Sequence, residues 1–261
     1  GATSQSRWPG TSPRGLAPLY SSADIYHHAS GLNPYRYPNI DYYSSDYIRK
    51  MYARHEAIAE ISGGGKLARF YSNINYYRSG DYFKFGEARN NHVSRFSVRG
   101  NVDVNISDDI KAWVNSNATF YDSSTAKGDY WGVASTMRPN FPQNAYPLIP
   151  KDMVDSHAKA AWDLLSVAKL IDDKYFLAGS QANASSLFGD IYAAGKRKWT
   201  SRQFQFDTGL NIGLGKVLPG LSFETRFAVD YATAYTTSFD NSYAVYIPTW
   251  SHHNGKDVIV G

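Results

Sequence analysis

The chain has 261 residues, a formal charge of +4 and a mean hydropathy of -0.45, with no run approaching the ~20 apolar residues that a membrane-spanning helix needs. Its 27 basic residues are scattered among 23 acidic ones, which does not suggest a nucleic-acid surface, and the absence of cysteine excludes disulfides, thiolate metal sites and cysteine nucleophiles. Aromatics at 15% beside 21 glycines favour sheet over helix.

In chain order, residues 1–53 read as Pro-, Ser- and Tyr-rich coil leading into the first strand. From there a two-residue periodicity predicts about seven strands, over 54–62, 68–78, 94–106, 110–121, 200–214, 221–235 and 239–247. The clearest puts Phe96, Val98, Gly100, Val102, Val104 and Ile106 on one face and Arg95, Ser97, Arg99, Asn101, Asp103 and Asn105 on the other. Phe204, Phe206, Leu210 and Ile212 repeat the pattern, as do Phe223, Phe227, Val229 and Tyr231.

Any antiparallel sheet with one solvated face alternates in this way. Length and loop parity narrow the choice. About 13 residues at roughly 3.3 Å each reach ~43 Å, which at a ~40° tilt crosses ~33 Å, enough for a lipid-facing band of ~25 Å. The connections 63–66, 107–109 and 215–220 are short, whereas 79–91 and 122–199 are long, the parity of an outer-membrane barrel. Within 122–199, Val154, Ala158, Ala161, Trp162, Leu165 and Ala168 recur at helical spacing and predict a short amphipathic helix. Its apolar stripe packs on the rim of the barrel or meets a partner. The expected fold is thus all-β: antiparallel strands forming an arc of a transmembrane β-barrel, with a helix in a long extracellular loop. Seven strands leave two open edges that hydrocarbon does not tolerate. Either an eighth strand closes a small barrel, or the chain is a segment of a larger one.

Signals for catalysis are poor. His55-Glu56-Ala57-Ile58-Ala59 has Ala where a zinc-protease motif needs its second histidine, and Gly63-Gly64-Gly65-Lys66 suits a hairpin turn better than a phosphate loop. The pairs His27-His28 and His252-His253 read as loop histidines, so no catalytic residue, metal or cofactor is expected. Trp113, Tyr121, Trp199, Tyr231 and Tyr235, at strand ends, fit an interfacial girdle. Tyr130, Trp131, Asn140, Phe141, Asn144 and Tyr146 combine flat rings with amides in the long loop. They are the candidate substrate contacts, with self-packing of the loop as the alternative.

Four stretches resemble the SusC/RagA-like family of TonB-dependent outer-membrane transporters. Asn33-Pro34-Tyr35-Arg36-Tyr37-Pro38-Asn39-Ile40-Asp41-Tyr42-Tyr43 is similar to the family's stretch between plug and barrel, with Tyr42 where the family has Trp. Ile61-Ser62-Gly63-Gly64-Gly65 with Ala68-Arg69-Phe70-Tyr71 resembles its first hairpin, and Arg99-Gly100-Asn101-Val102-Asp103-Val104-Asn105-Ile106 one of its strands. Leu218-Pro219-Gly220-Leu221-Ser222-Phe223 is similar to a later hairpin. The resemblance implies a connecting segment over 1–53, a partial barrel over 54–261 and a parent barrel of roughly 22 strands around a plug. It further implies import of glycan fragments or peptides, TonB and a SusD-like surface lipoprotein as partners, and an outer-membrane location. Two other classes stay open: a small self-contained barrel acting as adhesin or porin, and a soluble carbohydrate-binding sheet.

Overall fold

A computed structural model describes residues 21–136, 148–179 and 187–261. Six long strands form one antiparallel sheet: β1 (Arg54–Gly64), β2 (Ala68–Gly80), β3 (His92–Asn105), β4 (Ile110–Ala126), β7 (Gly195–Gly213) and β8 (Ser222–Asp240). Neighbours pair in that order, leaving β1 and β8 at the edges. Two small hairpins lie outside it, β5 (Leu148–Pro150) with β6 (Tyr175–Leu177) and β9 (Trp250–His253) with β10 (Lys256–Ile259).

The register keeps the alternation in phase across the sheet. Phe70 pairs with Val102 and Val102 with Val114, while Ala118 pairs with Phe204 and Phe204 with Tyr231. One face therefore collects the apolar rows of every strand, and the other collects Arg99, Asn101, Asn115, Asn117, Gln205 and Asp207. A one-residue slip in any pair would break this segregation. The apolar face has no second layer among the described residues: Phe96, Val102, Phe204 and Phe227 keep 39%, 40%, 43% and 60% of their surface exposed. A water-soluble sheet buries such a face against another layer.

Turns 65–67, 106–109 and 214–221 lie at one end, and connections 81–91 and 127–194 at the other, as the parity predicts. The long connections fold on themselves. One cluster gathers Tyr42, Phe83, Phe85, Tyr130, Phe188 and Ile191; a second gathers Ile149, Val154, Leu165, Phe176 and Ile259. Helix α3 (Lys159–Val167) is the amphipathic helix expected from the spacing, and its Ala161 and Leu165 pack into the second cluster.

Three expectations need correction. The seventh strand over 239–247 is absent: Phe239 and Asp240 end β8, and the chain then turns into the loop assembly, where Tyr246 N–H donates to Leu177 O at 2.8 Å. The coil expected before residue 54 contains helix α1 (Ser22–Ser30), begun by a capping box between Ser21 and Asp24 and ended at Gly31 with φ 68°. The girdle also divides. Tyr231 and Tyr235 share the apolar face, but Trp113, Tyr121 and Trp199 share the parity of Asn115 and Gln205 and lie on the polar face.

Candidate functional site

Alternation delivers a polar surface along one face of β3, β4, β7 and β8, and cross-strand pairing locks its side chains. Asp207 accepts hydrogen bonds from Trp113 Nε1 at 3.0 Å and Asn115 Nδ2 at 2.8 Å, and it pairs with the Arg226 guanidinium. Asn117 Nδ2 donates to Gln205 Oε1 at 3.2 Å. On β1 and β2, Tyr71 and Asn73 both donate to Glu60. Gly209 makes room for the indole, since a Cβ there would lie 2.1 Å from Trp113 Cζ2. A groove of about 480 Å³ opens beside this ladder, bordered by Arg99, Asn101, Asn117, Asp207, Arg226 and Asp230. Asn101 Oδ1 is buried there with no partner among the described residues. Mixed charges and amides of this kind hydrogen-bond to hydroxyl- or amide-rich solutes. Among the described residues no three His, Asp or Glu side chains converge to hold a metal.

Of the loop candidates, Tyr130 and Trp131 open helix α2 (Tyr130–Thr136). Asn140, Phe141, Asn144 and Tyr146 lie outside the described residues. Tyr130 is 3% exposed, ringed by Phe83, Phe85, Tyr47 and Phe188, and its hydroxyl donates to Tyr42 O, so it holds the loop core together. Trp131 remains 47% exposed and stacks near the exposed Tyr43, with centroids 6.3 Å apart and planes at 26°. These two rings form an open aromatic ledge. Tyr43 was not singled out from the sequence, where only its place beside Tyr42 marks it.

Burial, with Tyr130 adding to it, pushes the Tyr42 hydroxyl above the usual tyrosine range, and that oxygen has no hydrogen-bond partner among the described residues. Its burial costs free energy that phenylalanine would not incur. Tyr42→Phe is expected to leave stability unchanged or raise it by about 1 kcal/mol, measured by chemical denaturation.

The histidine pairs are less free than loop residues. His28 is buried with Nδ1 2.8 Å from Pro38 O, and His27 stacks on Tyr37 at 4.7 Å. His252 Nδ1 lies 3.0 Å from Asp257, which also accepts from Asn33 at 3.1 Å and from Arg36 at 2.9 Å. This clamp ties the segment after α1 to the β9–β10 hairpin, beside a cavity of about 700 Å³. Burial raises the Asp257 carboxyl, but bonds from His252 and Asn33 and the charge of Arg36 outweigh it and hold the group below the usual carboxylate range. A depressed folded value gives stability that is present above the unfolded value of about 3.9 and lost as pH falls through the folded one. The protection of β9 and β10 against hydrogen exchange, corrected for the intrinsic pH dependence of exchange, is therefore expected to be full at neutral pH and to fall below about pH 4. Asp257→Asn should remove that acid step.

Comparison with protein-family models, with curated proteins and with solved structures finds no match in any of the three.

Proposed function

We propose that the chain is part of the wall of an outer-membrane β-barrel transporter, of the TonB-dependent kind that the SusC/RagA-like stretches resemble, importing glycan fragments or peptides. The observation that carries this reading is the bare apolar face: six strands hold their hydrophobic rows in register, and no protein layer covers them among the described residues. In this reading acyl chains cover that face, while the hydrogen-bonded ladder faces an aqueous lumen. From Phe223 to Tyr235 is twelve steps, ~40 Å along the strand and ~30 Å across the bilayer at a ~40° tilt, which suits the hydrocarbon span. The unpaired edges of β1 and β8 then require further strands.

The long-loop end is extracellular in this scheme. Trp131 and Tyr43 give incoming solute a flat ledge to stack on, and the amide- and guanidinium-rich groove hydrogen-bonds it further in. No bond is made or broken, and no cofactor is required. A SusD-like lipoprotein closing over the mouth and TonB acting from the periplasm through a plug are the partners of such a transporter. The parent protein should sediment with outer membranes, need detergent for release, and be required for uptake of an oligosaccharide or peptide. Recovery of that protein in the buffer-soluble fraction would rule the assignment out.

A further inference from the structure

At the long-loop end of the outward face, β1, β2 and β3 carry basic side chains that join two further arginines from the adjoining loops. His55 stands directly opposite Arg78 on the neighbouring strand, and Gly80 pairs with His92, so the two histidines and the arginine share the parity of Tyr76 and Phe96. Arg89 approaches from the 3-10 turn Glu87–Asn90. Arg49 completes the group, held in place by donating to Asp81 O at 3.3 Å and Arg89 O at 3.2 Å. Together they border a cleft of about 440 Å³, whose other walls are Ala53, Gly80, Asn90 and Asn91. No carboxylate lines it. None of the three arginines has a carboxylate within 4.0 Å among the described residues, whereas Lys196, Arg202 and Arg226, elsewhere on the sheet, each have one. Asp81, nearby in sequence, is occupied by Asn91 Nδ2 at 2.9 Å and the Tyr82 N–H at 2.7 Å.

Three guanidiniums that border one cleft with no carboxylate in its lining repel one another, and an anion seated there relieves that repulsion. The level at which they sit identifies its source. Arg78 follows Tyr76 by two residues, which puts it ~6.6 Å further along the strand and ~5 Å further out along the membrane normal. That is where hydrocarbon gives way to headgroups, on the side of the sheet that meets lipid if the proposed membrane assignment holds. We infer that this cleft seats the phosphate groups of an outer-leaflet glycolipid. Arg78 and Arg89 grip phosphate oxygens through their planar forks, Arg49 contributes charge, and Asn90 reaches the sugar hydroxyls.

Native mass spectrometry of the detergent-purified parent protein, titrated with bisphosphorylated lipid A, its dephosphorylated form and inorganic phosphate, tests this. Retention of the bisphosphorylated lipid, with at least about tenfold weaker retention of the dephosphorylated one, is expected. In Arg78→Gln/Arg89→Gln the lipid A signal should fall by a similar factor, and Arg78→Lys/Arg89→Lys should restore part of it. Equal retention of both lipids, no lipid bound, or lipid displaced by inorganic phosphate at similar concentration would each overturn the inference. Outer-membrane fractionation of the same variants is run in parallel. Loss of lipid binding with membrane insertion intact bears on this cleft alone, whereas a wild-type protein that never enters the membrane defeats the transporter assignment.

Discussion

Arginine at Phe206 is expected to block stable assembly into the membrane, whereas arginine at the adjacent Gln205 is expected to be tolerated. Phe206 pairs with Ser116 and Val229 on the apolar face, near the middle of the band, and Gln205 pairs with Asn117 and Asp230 on the polar face. A guanidinium on the lipid side near the midplane costs about 2–4 kcal/mol, before the lost contacts of the phenyl ring are counted. On the polar side it meets Asp207 and Asp230 and, in the proposed barrel, an aqueous lumen. Heat-modifiable mobility of the folded barrel in detergent, compared between the two variants, reads the difference. Equal heat-modifiable mobility in the two variants would contradict a lipid-facing row at Phe206.

The second large effect is expected at Phe188, which is fully enclosed in helix α4 (Leu187–Ala193). Its ring lies 5.3 Å from Tyr42, 5.6 Å from Tyr47, 5.8 Å from Phe85 and 5.7 Å from Tyr130, so one side chain joins the segment before β1, the β2–β3 connection and the long insertion. Phe188→Ala leaves a cavity among rings that cannot all collapse inward, at a cost of about 3–5 kcal/mol. The ladder pairings from β1 to β8 are made almost entirely outside this cluster. Limited proteolysis should therefore cut the loops of the variant much faster than those of the wild type, while the strands stay protected. Equal loop protection in both proteins would show that the cluster does not hold the loops together.

Much of the sheet is legible in the sequence because its signal is local. Phe96 to Val104 alternates with Arg95 to Asp103 without a break, and residues two apart share a face whatever the rest of the chain does. Parity also decides the girdle. Trp113 follows the polar parity of Asn115 and Asn117, so its indole meets Asp207 instead of a headgroup; a strand-end aromatic alone does not say which face it takes. Ser21 and Asp24 carry a helix signal that Pro- and Tyr-rich surroundings mask. Tyr130 is different. Its burial depends on Tyr42 and Phe83, far away in sequence, and no local pattern encodes that meeting. The Asp257 clamp is hidden for the same reason, since Asn33 and Arg36 lie more than two hundred residues before their acceptor. Contacts that join distant segments leave no periodic trace.

Single cysteines placed from residue 203 to 212 along β7 provide the most direct measurement, and the chain has no native cysteine to remove. In outer membranes, even-numbered positions are expected to resist a water-soluble maleimide and to be quenched by a lipid-dissolved probe, with odd-numbered positions doing the opposite. A trace without two-residue alternation, or even-numbered positions that neither reagent reaches, would contradict a sheet whose apolar face is solvated by lipid.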